Sequence, residues 1–392
     1  MITLTEEQEK LVEEAVDFYY NSSEQVFQYS GKAGTGKSVV MRAIIDRLGL
    51  TLDEVAPMSY IGAAAIVMRL KGFMNAKTIH SWLFKPDWIF DYDDMDLYLN
   101  RPKKKLVFVP DKSTTIGKKI ICIDEAGSVP MSLKEEIESR GIKIIACGDL
   151  NQLPPVADNP AYLYSGKVHH LMQIMRQAEG SAIIYLANRI LNDEPIEPGW
   201  YGNVAVIHPN ELQDDMIYNA EIVLCGTNAT REYFNNKIRK MRGIDPSINL
   251  PMNGEQVICR KNNWLEGVDG INLANGLIGR VTNTPSVYGY DKDTFTIDFA
   301  PTMFPGVFKD LKCSFKYFNS SYKDKAYFKN GYYRTKGNLF ELGYCITTHI
   351  SQGSQFSHGI YVSEYMTRDI NKHLDYTGIT RFSNCCVYVL KR

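Results

Sequence analysis

The feature that most constrains this chain is the stretch GKAGTGKS, from Gly31 to Ser38. It fits the pattern G-x-x-x-x-G-K-[ST] at every position, follows the β-type run EQVFQYS and precedes the helical pattern VVMRAIIDRL. Its glycines allow successive backbone N–H groups to turn inward and form an anion-binding concavity, and the next helix adds the partial positive charge of its N-terminus. A plain glycine turn is the alternative. The strand before the loop and the helix after it favour a site for a nucleoside triphosphate.

The chemistry of Mg²⁺ and ATP assigns roles within this loop. We expect Lys37 to lie along the outer phosphates and the Ser38 hydroxyl to ligate Mg²⁺. The predicted nucleotide-binding residues of the loop are Gly31, Ala33, Gly34, Thr35, Gly36, Lys37 and Ser38. The sequence therefore predicts ATP and Mg²⁺ as cofactors.

Length and composition bound the class of protein. The 392 residues suffice for two or three domains, with 44% hydrophobic and 23% charged residues. No apolar run approaches the roughly 20 residues that span a bilayer, so we expect a cytoplasmic protein with no membrane partner. The eight cysteines show no CxxC pair and are expected to be reduced core residues. Because the net charge is −1, any grip on nucleic acid must come from a local groove.

The order of β-type and helical segments predicts an α/β fold. Apolar runs such as VFQYS, KIICIDEAG and KIIACGDL alternate with helical patterns, which is typical of a parallel sheet with functional loops at the carboxyl ends of its strands. Residues 84–118 interrupt the alternation and predict a small accessory element. A second alternating region starts near Glu221, and residues 276–342 (with the β-type runs LIGRVTN, TFTIDF and KYFNSSY) predict a small all-β insertion.

Two acidic residues follow the apolar run KIICID. Asp124 at the strand tip can hold Mg²⁺ directly or through water, and Glu125 can orient and deprotonate an attacking water. A strand that ends in two acids is usually a solvated turn. Downstream of an intact phosphate loop, hydrolysis becomes the favoured interpretation.

A third strand end carries IIACGDLNQLPPV, from Ile144 to Val156. Gln152 can sense the γ-phosphate there and pass its presence to a neighbouring surface. A rigid proline turn on a surface loop is the alternative.

These segments, with others in the same order, resemble the superfamily one DNA helicases of the RecD/Dda type, most closely the small phage Dda-like helicases. The resemblance covers nearly the whole chain. It is carried by LTEEQ, GKAGTGKS, APMSYIGAAA, TIHSWL, IDEAGS, GDLNQLPPV, LMQIMRQ, GTNAT, TTHISQGSQF and YTGITRFS. The chain departs from the family at Ala63, where a basic residue is common.

The resemblance implies two RecA-like P-loop NTPase motor domains with two insertions. Residues 1–178 would form the first motor domain, with an inserted pin element at about 84–118. Residues 179–275 and 343–392 would form the second, and residues 276–342 an SH3-like β insertion.

The resemblance also implies how ATP is handled. Gln8 corresponds to the adenine-reading residue, and Arg176 and Arg381 to arginine fingers that face the ATP from the second domain. Either arginine alone reads as an ordinary surface residue. Two fingers on the far domain would close the cleft on ATP and let it reopen after hydrolysis.

A DNA track follows from the same comparison. The first half would contribute Pro57, Met58, Ser59, Thr78 and His80, and the second half Asn228, Thr348, His349 and Ser351. Small polar groups and backbone amides can contact phosphates without reading sequence, and Met, Pro or aromatic faces can pack against bases. His80 and His349 read equally well as structural histidines.

Strand separation needs a block to the second strand. In the family this is a pin that projects from the first insertion, where Phe84, Trp88 and Phe90 are the available aromatic residues. They would otherwise form the core of the insert. Trp88 and Phe90 are our predicted pin residues.

The leading hypothesis is an ATP-dependent DNA helicase that translocates 5′ to 3′, a polarity that the resemblance alone supplies. Its expected partners are single-stranded DNA, single-strand/duplex junctions and proteins of replication or recombination, and it would act as a monomer in the cytoplasm, that of the host if phage-encoded. The alternative is a DNA-stimulated ATPase switch or translocase that displaces bound proteins without productive unwinding.

Overall fold

The first strands and helices of the chain alternate and form a parallel sheet covered by helices. The structure is a computed structural model, which describes residues 4–96, 101–155, 158–175, 180–245, 247–286, 293–329 and 336–391. The six strands follow the order β3-β2-β6-β7-β1-β8 and are all parallel. They are β1 (Val26–Gly31), β2 (Val55–Ser59), β3 (Lys77–Thr78), β6 (Ile120–Asp124), β7 (Lys143–Gly148) and β8 (Val168–Leu171). The helices of this half are α1 (Glu6–Asn21), α2 (Lys37–Arg47), α3 (Gly62–Leu70), α4 (Ile79–Leu83) and α5 (Lys134–Glu138).

A second six-stranded sheet follows the order β19-β11-β20-β21-β10-β9 and is parallel except for β9, which runs antiparallel to β10. Its strands are β9 (Gly199–Tyr201), β10 (Val204–Ile207), β11 (Ile222–Cys225), β19 (Cys345–Thr347), β20 (Phe356–Val362) and β21 (Phe382–Val389). Its helices are α6 (Ala182–Leu191), α7 (Asp214–Asn219), α8 (Asn228–Met241) and α11 (Arg368–Ile379). Two such sheets confirm the predicted α/β fold class.

Three smaller β elements interrupt these sheets. The first is a long antiparallel hairpin, β4 (Phe84–Asp96) with β5 (Arg101–Pro110). The second is a five-stranded antiparallel sheet, β12 (Gln256–Cys259), β15 (Ile278–Val281), β16 (Thr294–Pro301), β17 (Phe308–Ser314) and β18 (Phe340–Leu342). The third is the short hairpin β13 (Asn263–Val268) with β14 (Ile271–Leu273). Helices α9 (Phe315–Asn319) and α10 (Tyr322–Lys329) follow β17.

The antiparallel sheet differs from the sequence prediction in two ways. It starts before residue 276, because β12 pairs with both β15 and β18. A four-residue apolar run such as QVIC does not reveal which sheet it joins. The run KYFNSSY lies in helices rather than a strand, because the Ser314 hydroxyl accepts from Tyr317 N at 3.2 Å and caps α9.

The parallel strands are buried on both faces, which explains their continuous apolar runs. All five residues of β2 are buried, and β6 is buried up to Asp124. Among the described residues no helix is long and apolar enough to cross a membrane.

Candidate functional site

The phosphate loop leads directly from β1 into α2, as its sequence predicts. Gly34 and Gly36 have φ values of 84° and 80°, in the left-handed region that side chains disfavour. The Lys37 ammonium folds back over the loop, where Nζ donates to the carbonyl oxygens of Gly31 at 2.8 Å and Lys32 at 3.2 Å. Lys37 is therefore held at the concavity, within reach of a bound phosphate.

Gln8 lies against this loop although it is far away in the sequence. Its Nε2 donates to Thr35 O at 2.9 Å, and its Oε1 accepts from Thr5 N at 3.0 Å in the capping box that starts α1. The side chain is 1% exposed. The first turn of α1 thus fixes the Gln8 amide at the edge of the phosphate loop.

The two acids sit where β6 ends, beside the phosphate loop. Glu125 adopts φ 52° and ψ 42°, an uncommon conformation for a residue with a side chain, and its N–H donates to Asp124 Oδ1 at 2.9 Å. On the other side of the loop the Ser38 hydroxyl accepts from Lys71 Nζ at 3.1 Å. Oxygen atoms are the ligands that Mg²⁺ prefers, so the Ser38 hydroxyl and the Asp124 carboxylate are the groups here that could hold the ion.

Glu125 lies in a strongly charged neighbourhood. Burial raises the pKa of its carboxyl, the charge of Arg381 opposes that rise, Asp124 adds to it and Lys37 opposes it, with a net shift upward. The charge of Arg381 is therefore felt at Glu125. The structure brings Lys37, Asp124 and Glu125 of the first half together with Arg381 of the second.

Arg381 follows α11 and is 6% exposed. Its Nε donates to Thr377 O at 3.3 Å and its NH1 to Ser354 O at 3.5 Å, so both contacts come from its own half of the chain. Gln152 is buried, and its N–H donates to Asp149 O at 3.2 Å. Arg176 lies outside the described residues.

A tyrosine that the sequence analysis did not single out joins the two halves. The Tyr376 hydroxyl on α11 accepts from Ala33 N in the phosphate loop at 2.9 Å and donates to Asp149 Oδ2 at 2.6 Å. Asp149 also accepts from Asn151 N and Asn151 Nδ2, so its carboxylate is well satisfied. Tyr376 is the first residue of the motif YTGITR, and this motif is the sequence feature that could have identified it.

The loop after β7 makes further contacts across the cleft. Leu153 N donates to the Thr377 hydroxyl at 3.1 Å, and Leu153 O accepts from Gln352 Nε2 at 2.7 Å. His373 Nδ1 lies 2.8 Å from Asn151 O. The loop that carries Gln152 therefore forms hydrogen bonds with two segments of the second half, TTHISQGSQF and YTGITRFS.

Several residues of the predicted DNA track have buried side chains, which leaves only their backbone groups for contact with a phosphate. Pro57, Met58 and Ser59 lie inside β2, and Met58 packs in the core of the first half. Thr348 and Ser351 are 0% exposed, and their hydroxyls donate to the carbonyl oxygens of Cys225 and Thr348. Sequence order places these residues near a strand end but does not show which way the side chains point.

The first half presents a row of rings beside the buried strand end. His80 lies between Tyr60 and Phe84, with ring centroids 5.9 Å and 5.8 Å away, and burial lowers the pKa of its imidazole. Thr78 is the N-cap of α4, where its hydroxyl accepts from Ser81 N at 3.2 Å. Tyr60 was missed, although it directly follows APMS.

The second half presents the start of α8. Asn228 is exposed there, and the preceding loop is fixed by Glu364, whose Oε2 accepts from Gly226 N at 2.6 Å and Thr227 N at 2.8 Å. His349 is half-buried, and burial lowers the pKa of its imidazole. Glu364 positions the loop before α8, and none of the sequence motifs pointed to this residue.

A cavity of about 290 Å³ lies between the first half and the β13–β14 hairpin. Its lining combines cations, aromatic rings and hydroxyls, contributed by Arg69, Lys77, Thr78, Ser81, Phe84, Lys85 and Trp264. The hairpin is held by a bond from Arg69 NH1 to Gly270 O at 2.7 Å, and Trp264 lies 5.0 Å from the Phe108 ring of β5. On β4, Phe90 is 51% exposed, and the side chain of Trp88 lies outside the described part of the chain.

Comparison with known proteins places this geometry in a family. The family described as "AAA domain" matches residues 3–211. The ATP-dependent DNA helicase RRM3 of Saccharomyces cerevisiae is 29% identical over 170 residues, which cover 40% of this chain and 21% of that protein. The matched part thus spans only a small share of the length of this curated relative.

Solved structures of Pif1 helicases share the whole fold. The Candida albicans enzyme has a TM-score of 0.54 at 17% identity, covering 99% of this chain and 95% of that one. Bacteroides Pif1 bound to single-stranded DNA has a TM-score of 0.57 at 18% identity, covering 99% and 92%. Two coordinating Pif1 helicases at forked double-stranded DNA give 0.58 at 20% identity, with the same coverage. The fold is therefore that of two RecA-like sheets with insertions, and the chain belongs to the AAA domain family.

Proposed function

We propose that this protein is an ATP-dependent DNA helicase of superfamily one that translocates 5′ to 3′ on single-stranded DNA and unwinds duplexes. One observation carries the proposal: the Tyr376 hydroxyl on α11 of the second half accepts from Ala33 N of the phosphate loop at 2.9 Å, and Arg381, which follows the same helix, acts through its charge on Glu125. A buried arginine from a second domain stabilises the charge that develops at the γ-phosphate in several classes of nucleotide hydrolase. A motor needs one, because ATP then bridges the two halves.

In this proposal each side chain of the cleft has one task. Lys37 neutralises the outer phosphates, Ser38 and Asp124 hold the Mg²⁺ of Mg-ATP, and Glu125 takes a proton from the attacking water. Arg381 stabilises the charge that develops in the transition state, and Arg176 is proposed as the second finger. Gln8 is proposed to read the adenine, and Gln152 to sense the γ-phosphate.

Motion would follow from the bonds that cross the cleft. Tyr376 ties α11 to the phosphate loop and to Asp149, and the loop at Leu153 is bonded to Thr377 and Gln352. Any change at the γ-phosphate is therefore adjacent to groups that belong to both halves. Closure with ATP and reopening after hydrolysis would move the two DNA-contacting surfaces relative to each other.

The proposed DNA track combines the ring row at Tyr60, His80 and Phe84 with the exposed start of α8 at Asn228. In the cavity beside β13–β14, Arg69, Lys77 and Lys85 extend the track next to the Phe84 ring, and cations beside an aromatic ring suit single-stranded nucleic acid of any sequence. The Bacteroides Pif1 relative was solved with single-stranded DNA, which supports this ligand class. The β4–β5 hairpin is the proposed pin.

The order of the motifs and the residues within them favour the RecD/Dda branch within superfamily one. We further propose a monomer that acts in the cytoplasm at single-strand/duplex junctions, alongside proteins of replication or recombination. The domain division at residues 178, 275 and 342 remains part of the proposal, with β12 moved into the insertion.

DNA-stimulated ATP hydrolysis tests the nucleotide assignment. Lys37→Ala should keep the fold and abolish turnover with and without a single-stranded oligonucleotide. Lys10→Ala, at an exposed position of α1, should leave turnover unchanged. Retained DNA-stimulated turnover in Lys37→Ala would contradict the assignment of this loop.

A further inference from the structure

A polar cavity of about 320 Å³ lies between α8 and the segment that leads from α9 into α10. It shares no lining residue with the nucleotide cleft or with the cavity beside β13–β14. The charged residues that line it are Arg231, Glu232, Arg239, Lys325 and Glu341. We call it the Arg231 cavity.

One carboxylate in this region is shared by three cations. Glu341 is 4% exposed, and its carboxylate accepts from Arg231 NH1 and from Arg260 Nε, the latter at 3.0 Å. Lys325 Nζ lies 3.9 Å from Oε2 of the same carboxylate. Tyr317 adds a neutral hydroxyl at 2.6 Å. Among the residues that the structure describes, three cations against one buried carboxylate leave two positive charges without a buried counter-charge.

Two of these cations are incompletely bonded. Arg231 is 6% exposed, and its Nε has no hydrogen-bond partner among the described residues. For Lys325, the nearest carboxylate oxygen in the described structure is the one at 3.9 Å, and its ammonium otherwise lies over the Tyr317 ring at 5.4 Å. Buried cations are normally paired and fully hydrogen-bonded, because desolvation of an unmatched charge is costly.

The other charges around the cavity do not supply the missing partner. Arg239 is paired with Glu255 at 2.9 Å, so this pair is neutral. Glu232 is exposed, where water screens its charge. The excess of positive charge therefore remains at Arg231 and Lys325.

We propose that the Arg231 cavity binds a phosphate group, with the Arg231 guanidinium and the Lys325 ammonium as its cationic ligands. A phosphate presents several acceptor oxygens and up to two negative charges, which match two under-bonded cations better than a single carboxylate would. Arginine suits this role because its planar fork of donors fits phosphate oxygens.

Two sources can provide this group. Arg231 lies one helical turn after Asn228 in α8, so a phosphate of a strand held at the start of α8 is one source. Free inorganic phosphate is the other. Both present the same chemistry to the cavity.

Calorimetric titration of inorganic phosphate, without Mg²⁺, tests the site in the Lys37→Ala background, which weakens phosphate binding by the nucleotide loop. We expect saturable binding that weakens about tenfold or more when Lys325→Gln is added, since the variant loses one charge-assisted hydrogen bond to the phosphate. Lys240→Gln, at an exposed position of α8, should leave the affinity unchanged. Arg231→Lys keeps the charge but loses the fork, and should also weaken binding.

Absence of saturable binding, or equal affinity with and without Lys325→Gln, would overturn the proposal. A short single-stranded oligonucleotide that displaces phosphate would identify the strand as the source, and phosphate binding that the oligonucleotide leaves unchanged would identify the free anion. Because the test uses a chain whose nucleotide loop is disabled, a negative result would leave the proposed helicase activity untouched.

Discussion

Glu125 is the residue whose local structure is most unusual. A left-handed backbone costs a residue with a side chain about 1–2 kcal/mol, so the surroundings must hold it there. Ser128 helps, because its N–H and its hydroxyl both donate to Glu125 O, at 3.0 Å and 2.7 Å. These two bonds fix the turn that carries Glu125 directly after Asp124.

The direction of the Glu125 pKa predicts a pH effect on hydrolysis. A general base works only when deprotonated, and burial raises this pKa above the ordinary glutamate value of about 4.3. Turnover should therefore fall on the acid side at a pH above that value. A pH profile of ATP turnover at saturating DNA measures this.

Substitution isolates the role of the same carboxylate. Glu125→Gln keeps the shape of the side chain, so ATP binding should persist while turnover drops about 10²–10⁴-fold and the acid limb of the profile disappears. If Glu125→Gln kept the wild-type profile, another group would be the base.

At the scale of elements, α11 carries the bonds that join the two halves. Tyr376→Phe removes the bonds to Ala33 N and Asp149 and leaves the ring in place. We expect DNA-stimulated turnover to fall about thirtyfold, since two bonds at about 1 kcal/mol each favour the closed cleft. Steady-state ATPase assays give this value.

Tyr361→Phe is a matched control for that variant. The Tyr361 hydroxyl donates to Asp375 Oδ1 at 2.7 Å, a buried tyrosine–aspartate bond that stays within the second half. Both variants should lose similar thermal stability, but only Tyr376→Phe should slow turnover. Equal kinetic effects would mean that Tyr376 is structural and does not couple the halves.

These elements also show how far sequence reasoning reaches. Lys37, Ser38, Asp124 and Glu125 follow from the sequence because loop and strand-end positions in a parallel sheet are fixed by the order of elements. The burial of the Met58, Thr348 and Ser351 side chains does not follow from the sequence, because the direction of a side chain at a strand end depends on the packing of the whole sheet. The bonds of Tyr376 and Glu364 depend on contacts more than 130 residues apart along the chain, which no local pattern encodes.

For the molecule as a whole, the β13–β14 hairpin links the motor to the β4–β5 hairpin, which is the proposed pin. The Phe108 ring of β5 and the Trp264 ring of β13 lie 5.0 Å apart, so the pin is braced by the insertion. Trp264→Ala should reduce unwinding severalfold and leave DNA-stimulated ATP turnover nearly unchanged. Trp200→Ala, 81% exposed on β9, should change neither rate. Loss of both activities in Trp264→Ala would place Trp264 in the DNA track instead of the brace.

The central claim is a motor with a direction, and one measurement tests it most directly. Two matched duplexes, one with a 5′ single-stranded tail and one with a 3′ tail, are mixed with the protein and ATP, with Lys37→Ala as the control. The proposed helicase should open only the 5′-tailed duplex, and the Lys37→Ala variant should open neither. If the wild-type chain opened neither duplex while single-stranded DNA still stimulated ATP hydrolysis, the account would be contradicted in favour of a switch or a protein-displacing translocase.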